Sequence, residues 1–340
     1  MKKQLLNFIH RTYRSFALLA MLVACLIMGS AISAAVPTTL YMSPVGNDTN
    51  NGTTSVNAVK TLARIHEILM QTNPTGPVEV RIRFGTYSGQ KVEWTFFNGN
   101  PITFTPRDDQ GPTPVFDGNG SGTWFILKQS AGVDTQITFR KLQIQNYGGA
   151  ISFEGNRDIV DPSNGWNGSN ELDGMVIRSI GNKYYPANPP STAAVRLLNS
   201  RNNLIRNSRF EDIENDPGHL SALHAIYVAH RSSNNLIENN IFTNISGDAV
   251  RIRDSSDYNQ ILTNTFTRVG KAAYSEWFCD YTRGADCTAT FRECPSFGNA
   301  FRYNIINSGY DGGGASTFVY YQSLDLSCPR LSTAGNVNNS

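Results

Sequence analysis

The sequence has few charged residues and little net charge. Only 16% of its 340 residues are Asp, Glu, Lys or Arg, whereas an ordinary soluble domain has about 25%. The formal net charge is +2. A nucleic-acid-binding protein carries a clear basic excess, so we expect no nucleic-acid partner.

The sequence also lacks any long stretch rich in Ala, Glu, Lys and Leu, the residues that favour extended helices. This absence excludes a helical bundle. Glycine is abundant instead, with 29 residues, and so is asparagine. Both are typical of turns, so the composition predicts short strands separated by frequent turns.

Cysteine is scarce, and no two of the five cysteines have the C-x2-C spacing of a four-thiolate zinc site. Cys279, Cys287, Cys294 and Cys328 all lie near the end of the chain. In an exported protein such cysteines pair. We therefore expect two local disulfides, with three possible pairings.

The first 35 residues have the pattern of an export signal. Basic residues up to Arg14 precede an apolar run over 16–28, and small residues end the segment at Ala35. The run is too short for a stable membrane span. We expect a secreted or periplasmic protein with a single domain over 36–330 and a disordered polar tail over 331–340. Lipidation at Cys25, which ends a box like those of bacterial lipoproteins, is the alternative.

One phrase recurs along the chain. It runs over Asn203–Phe210, Asn235–Phe242 and Asn259–Phe266, and in looser form over 299–306. The shortest interval is 24 residues, and the longer intervals equal this unit plus an insertion. Short strands repeated at this interval, with asparagine at one fixed place, are typical of a parallel β-helix, in which asparagine side chains stack from coil to coil.

A second phrase precedes the first in each unit: Ala194–Leu198, Ala225–Ala229 and Ala249–Arg253. Apolar and variable residues alternate in it, as in a strand with one buried face. An antiparallel sandwich would require hairpin turns and would not preserve the repeat. The fold predicted is all-β: a single-stranded parallel β-helix.

The N-terminal part supports this fold. The segment Leu40–Thr53, followed by Lys60–Leu62 and an amphipathic stretch to Gln71, resembles the start of right-handed parallel β-helix polysaccharide lyases of the alginate- and pectate-lyase type. The resemblance implies a right-handed solenoid with a short N-terminal helix that caps its core. Hydrolases, epimerases and adhesins share this fold, so the resemblance leaves the chemistry open.

The alternation also predicts a surface column. If the second and fourth residues of each Ala-started strand point inward, the third points outward. Arg196, Tyr227 and Arg251 then lie in one column, about 4.8 Å apart, and Arg253 lies in the next. Adjacent like charges repel unless an anion bridges them, so the column indicates an anionic ligand.

Three insertions should wall a groove above this column. They run over 181–192 with Tyr184 and Tyr185, over 211–224 with His219 and His224, and over 267–298 with Lys271 and Trp277. All follow a Phe-ending strand and precede an Ala-started strand, so we expect them on one side of the solenoid. Loops on a rigid scaffold are where function concentrates.

A groove lined by arginine and aromatic residues suits an anionic polysaccharide. Arginine binds a uronate carboxylate with two bonds, and lytic cleavage also needs a base and an acid. Two guanidinium groups should lower the pKa of Tyr227, and His224 and Lys271 are further candidates. The predicted catalytic residues are Tyr227, His224, Arg251 and Lys271, and the predicted substrate-binding residues are Arg196, Arg253, Tyr184, Tyr185, His219 and Trp277.

The predicted function is an exported, monomeric uronan lyase, acting on alginate first and on pectate or glucuronan next. A uronate C5-epimerase and a non-catalytic carbohydrate-binding or adhesion β-helix are the alternatives. A calcium site needs carboxylates from stacked coils, and the acidic residues around Asp254 belong to one coil. We therefore expect no cofactor and no metal, with calcium as the disfavoured alternative. The lack of a facing carboxylate pair disfavours a hydrolase.

Overall fold

The computed structural model describes residues 37–156, 165–278, 293–314 and 316–321, all in one compact unit. The predicted leader, the predicted tail and Cys25, Cys279, Cys287 and Cys328 lie outside these residues. Cys294 is disulfide-bonded, and the pairing stays a prediction. In the described part of the chain, no helix combines the length and the apolar character needed to cross a membrane.

The described chain winds into coils whose strands form three long parallel sheets and one short sheet. Sheet A contains β1 (Thr38–Met42), β2 (Val78–Ile82), β5 (Ile102–Pro106), β9 (Ile137–Arg140), β13 (Glu171–Asp173), β17 (Leu204–Arg206), β20 (Leu236–Glu238), β23 (Gln260–Leu262) and β26 (Ala300–Arg302). Sheet B contains β3 (Thr86–Ser88), β6 (Val115–Asp117), β10 (Gln143–Gln145), β14 (Val176–Ile180), β18 (Arg209–Ile213), β21 (Ile241–Ile245), β24 (Thr265–Val269) and β27 (Ile305–Ile306).

Sheet C holds the Ala-started strands. Its members are β4 (Val92–Trp94), β7 (Thr123–Lys128), β11 (Gly149–Glu154), β15 (Ala193–Leu198), β19 (His224–Ala229), β22 (Val250–Arg253), β25 (Ala272–Trp277) and β28 (Ser316–Tyr321). The short sheet consists of β8 (Val133–Asp134), β12 (Asn167–Gly168) and β16 (Ser200–Arg201). Because every described strand pair is parallel and joins successive coils, the predicted parallel β-helix is confirmed.

Apolar rows fill the solenoid. Val195 and Leu197 on β15 are fully buried, as are their counterparts on β19 and β22. Phe210, Phe242 and Phe266 stack on sheet B with ring centroids 4.9 and 4.8 Å apart. Removing apolar surface from water stabilises the coils by about 25 cal/mol per Å², and the 24-residue repeat puts the same side chain in each layer.

Asparagine side chains form a buried ladder at the start of sheet A. In each coil the amide nitrogen donates to the side-chain oxygen of the next coil, at 2.8 to 3.1 Å. The ladder contains Asn170, Asn203, Asn235, Asn259 and Asn299. The same oxygens accept from backbone N–H groups, so the turn leaves few buried donors unpaired.

A helix closes the N-terminal end. Helix α1 (Leu62–Thr72) begins at Thr61, whose hydroxyl accepts from the backbone N–H of Arg64. Leu62, Ile65 and Leu69 on one face are fully buried. The predicted short capping helix is therefore present, and it covers core that water would otherwise reach.

The connections differ from the prediction in one respect. The loops 181–192 and 214–223 join sheet B to sheet C, as expected, although His224 belongs to β19 rather than to the loop. The third predicted insertion is interrupted by β25, which pairs in register with β22. The long connection that follows, over 278–299, joins sheet C to sheet A. The prediction of three insertions on one side is wrong, because a further 24-residue coil precedes the third.

Candidate functional site

The outer face of sheet C carries the predicted column. Backbone pairing places Ser152, Arg196, Tyr227, Arg251 and Ser275 side by side on five successive strands. Ser152 and Ser275 are buried, and the three larger side chains are partly exposed. The register inferred from the alternation is confirmed, and side chains from consecutive coils therefore lie about 4.8 Å apart at their backbones.

His224 lies at the start of β19, beside this column. Its Nδ1 donates to the backbone carbonyl of Asp248 at 2.8 Å, and its ring stacks on Tyr227 with centroids 5.9 Å apart. Burial lowers the pKa of His224 to about 3, with the nearby Arg251 charge acting in the same direction. The imidazole is therefore neutral, and the bond from Nδ1 leaves the lone pair on Nε2.

The pKa of Tyr227 is raised, whereas the sequence predicted that it would be lowered. Its hydroxyl oxygen accepts from Nη1 of Arg253 at 2.8 Å. Burial raises the pKa of Tyr227, and this effect exceeds the opposing effect of the Arg253 and Arg251 charges. The prediction of a lowered pKa is wrong, because desolvation penalises a buried phenolate more than these cations stabilise it.

Arg251 is held by Asp248. Its Nη2 lies 2.7 Å from Oδ2 of Asp248, and its Nε donates to Ser275 at 3.2 Å. The other Asp248 oxygen accepts from the backbone N–H of Ala272 at 3.1 Å. Asp248 thus fixes Arg251 through its side chain and His224 through its carbonyl.

Arg253 is partly buried and contacts three side chains, those of Glu293, Trp277 and Tyr227. Its Nε and Nη2 donate to the two oxygens of Glu293, the first at 2.8 Å, and its guanidinium lies 3.9 Å from the centroid of Trp277. Its remaining nitrogen holds Tyr227. The sequence did not indicate these contacts, which place Arg253 between Glu293, Trp277 and Tyr227.

Arg196 differs from the other arginines on this face in the partner of its guanidinium group. Its Nη2 donates to the hydroxyl of Thr192 at 2.9 Å, and it has no ion pair with a carboxylate in the described ranges. Its side chain is partly exposed. A guanidinium in this state has donors available for an incoming carboxylate.

Two predicted residues of the 181–192 loop have structural partners. The hydroxyl of Tyr184 donates to the buried carboxylate of Glu214, which also receives Nζ of Lys183 at 2.8 Å. The ring of Tyr185 covers Gly120, where an added Cβ would come within 2.6 Å of it. Both side chains therefore attach the loop to neighbouring coils.

The other two predicted residues lie apart from the His224–Tyr227 pair. His219 is exposed, and its Nδ1 lies 3.0 Å from Asp216 in the same loop. Lys271 is exposed in the two-residue turn between β24 and β25, without a hydrogen bond or ion pair to any described residue. The structure brings together His224, Tyr227, Arg251 and Arg253, and it leaves His219 and Lys271 outside that cluster.

One group of possible metal ligands lies near Arg253 among the described residues. His230, Asp254 and Glu293 have ligand atoms within 4.8 Å of one another, and Nδ1 of His230 lies 2.8 Å from Asp254. Both oxygens of Glu293 already hold Arg253. The guanidinium thus supplies the positive charge that balances this carboxylate, which makes the group a poor match for a cation. The absence of a metal stays a prediction.

Asp248 and Glu293 were not selected from the sequence as site residues. Asp248 lies three residues before Arg251, a spacing that brings the two together at the start of the strand. Glu293 lies 40 residues beyond Arg253, in a connection without the repeat, and no sequence signal indicates this contact.

Similarity to known proteins concerns the fold. The family profile described as "Right handed beta helix region" matches residues 125–282, and the solenoid is right-handed. No curated protein matches the chain.

Three solved structures illustrate the range of similar proteins. An alginate lyase from Paenibacillus sp. str. FPU-7 has 17% identity and a TM-score of 0.43, over 78% of this chain and 80% of that one. The pectate lyase Pel9A has 13% identity and a TM-score of 0.43, over 85% and 76%. The catalytic domain of a GH87 α-1,3-glucanase in complex with nigerose has 13% identity and a TM-score of 0.47, over 86% of this chain. The chain spans 46% of that domain.

Proposed function

We propose that the protein is an exported lyase that cleaves a uronic-acid-containing polysaccharide by β-elimination. The observation that carries this proposal is the arrangement on sheet C. Arg196, which lacks a carboxylate partner in the described part of the chain, lies one coil from a neutral imidazole, His224, and a protonated phenol, Tyr227. β-Elimination from a uronate needs these three functions: a cation, a base and an acid.

Arg196 binds the uronate carboxylate in this proposal. Its planar guanidinium can donate two hydrogen bonds to that group. Neutralising the carboxylate makes the C5–H more acidic, because the negative charge that develops next to it is then stabilised. Arg251, one coil beyond Tyr227, adds a second guanidinium along the column, held in place by its ion pair with Asp248.

His224 is the base. Its Nε2 lone pair takes the C5 proton, and the bond from Nδ1 to the Asp248 carbonyl fixes the required tautomer. The pKa of about 3 describes the site without substrate. An anionic substrate between the arginines offsets the positive charge that disfavours a protonated imidazole, so binding raises this pKa toward a useful range.

Tyr227 is the acid. The C4–O4 bond breaks as the C4=C5 double bond forms, and the leaving O4 takes the hydroxyl proton of Tyr227. The resulting phenolate is stabilised by the Arg253 guanidinium, which already lies 2.8 Å from this oxygen. Solvent then returns a proton to Tyr227 and removes one from His224, so both residues regain their starting protonation states.

Alginate is the preferred substrate, followed by pectate and glucuronan. The test incubates the protein with each polymer and follows the ultraviolet absorbance of the unsaturated product. A rise with one polymer supports the proposal. Exchange of the C5 proton with solvent without a rise would identify an epimerase. Binding without either signal would identify a non-catalytic carbohydrate-binding protein, and both of these results would overturn the lyase.

The residue roles are tested by steady-state kinetics of two variants. Tyr227→Phe should lower kcat by about 10²- to 10⁴-fold with little change in KM, because only the proton donor is lost. Arg196→Ser should raise KM and lower kcat, because the carboxylate is bound in both ground and transition states.

Arg178→Ser is the matched control for the second variant. Arg178 lies on β14 of sheet B, and its side chain is 43% exposed with only a 3.9 Å contact to Asp212. Its loss should leave both constants unchanged. If Arg178→Ser and Arg196→Ser behaved alike, the role of Arg196 would be refuted.

A further inference from the structure

A second cleft lies on sheet A, away from the His224–Tyr227 site. Its volume is about 490 Å³, and its floor is formed by β5. This strand presents the short side chains of Thr103 and Thr105, whereas β2 before it presents Glu79 and Arg81 at the same positions. At these positions the β5 side chains are shorter than those of β2, which leaves room above β5.

Two arginines, Arg81 and Arg140, line the cleft on strands either side of this floor. Arg81 pairs with Thr105 on β5, and Arg140 follows Phe139, which pairs with Phe104 on β5 from the other side. The two arginines are therefore two coils apart, about 10 Å at their backbones. Arg107, Lys141 and Arg206 line the same cleft, together with the carboxylates of Glu79, Asp109 and Asp173. Five basic and three acidic residues therefore surround the threonines.

The polar groups of the cleft are available to a ligand. The hydroxyls of Thr103 and Thr105 make no hydrogen bonds to other described residues. Arg81 is paired with Glu79 on its own strand at 3.0 Å, and its side chain is 42% exposed. Arg140 and Lys141 have contacts of only 3.4 Å to carboxylates and are also exposed. Exposed pairs of this kind contribute about 0–1 kcal/mol, so an anion can displace them.

We propose that this cleft is a second, non-catalytic binding site for a carboxylated saccharide chain. The carboxylate is bound between Arg81 and Arg140, and the sugar hydroxyls meet the hydroxyls of Thr103 and Thr105. The threonine floor favours a saccharide over a small inorganic anion, because it offers hydrogen bonds to neutral hydroxyl groups next to the charge. The site involves no residue of sheet C and does not depend on the chemistry proposed there.

Isothermal titration calorimetry with a mannuronate hexasaccharide at low salt tests this site. The full chain carries Tyr227→Phe in every arm, so that the probe is not consumed. Adding Arg81→Ser with Arg140→Ser should remove one binding event or weaken it about tenfold or more, because charge-assisted bonds are lost. Adding Arg178→Ser with Arg209→Ser, a matched pair of exposed arginines on sheet B, should change nothing.

The arms separate this site from the proposed catalytic site. If sheet C does not bind the probe, calorimetry shows one binding event in the Tyr227→Phe background. That event should still disappear when Arg81→Ser and Arg140→Ser are added. If binding is the same in all variants, the sheet A site is refuted. Equal binding of a neutral hexasaccharide, or binding of sulfate as tight as that of the hexauronate, would also overturn the assignment. Unchanged thermal unfolding of the variants confirms that their folds are intact.

Discussion

Lowering the pH should destabilise the fold through His224. This side chain is 2% exposed, and burial together with the Arg251 charge lowers its pKa from 6.5 to about 3. The unfolded chain therefore takes up a proton near pH 6.5, while the folded chain does not. The stabilisation from a neutral His224 is complete above pH 6.5 and is lost as the pH falls toward 3.

The magnitude follows from the separation of the two pKa values. Each pH unit inside that interval changes the free energy of unfolding by about 1.4 kcal/mol. Between pH 6 and pH 4 the loss attributable to His224 is therefore about 3 kcal/mol, a large fraction of the stability of an ordinary domain.

The assay compares urea unfolding of the wild-type chain and of His224→Asn at several values of pH. The amide of asparagine can still donate to the Asp248 carbonyl, but it does not titrate. Any cavity lowers the stability of the variant equally at every pH, so the difference between the two proteins isolates the imidazole. That difference should shrink by about 1.4 kcal/mol per pH unit below pH 6. A constant difference from pH 7 to pH 4 would refute the assignment of a buried, neutral His224.

Three further predictions concern other side chains of the solenoid. Burial raises the pKa of Glu276, and its Oε2 is buried without a hydrogen-bond partner; Glu276→Gln should therefore stabilise the fold progressively as the pH rises above about 4.5, measured by urea unfolding. Asn235→Ala removes the acceptor of two hydrogen bonds from Asn203, so the free energy of unfolding should fall by about 2–4 kcal/mol in the same measurement. The control Asn51→Ala, at an exposed position, should lower it by about 0.5 kcal/mol or less. Arg253→Lys cannot hold Glu293 and Tyr227 together, and kcat for uronan cleavage should fall while KM stays unchanged.

The parts of the structure that depend on the repeat were predictable from the sequence. The 24-residue unit, lengthened in some coils by an insertion, sets which residues stack, and the two-residue alternation sets which of them point outward. Together they place Arg196, Tyr227 and Arg251 in one column. The asparagine ladder follows from the same interval.

The same rule, applied once more, would have found β25. Adding 24 to Ala249 gives Ala273, which begins another alternating stretch ending at Trp277. The unusual inward residue Glu276, buried in place of an aliphatic side chain, hides the pattern. Without β25, the sequence places the third insertion before a strand of sheet C, whereas the long connection follows that strand.

The electrostatic details could not be predicted from spacing. The column brings cations to Tyr227, but the direction of its pKa depends on burial by neighbouring residues. The contact between Arg253 and Glu293 spans a connection without any repeat. Partners brought together in this way are determined by tertiary packing alone.

Solvent exchange at C5 by the Tyr227→Phe variant is the most direct test of the proposed division between base and acid. In deuterated water, His224 should still remove the C5 proton of the bound uronan, and without an acid for O4 the proton site should refill from solvent. The expected result is deuterium at C5 with almost no chain cleavage. Loss of both exchange and cleavage would make Tyr227 the base, and undiminished cleavage would remove it from the mechanism.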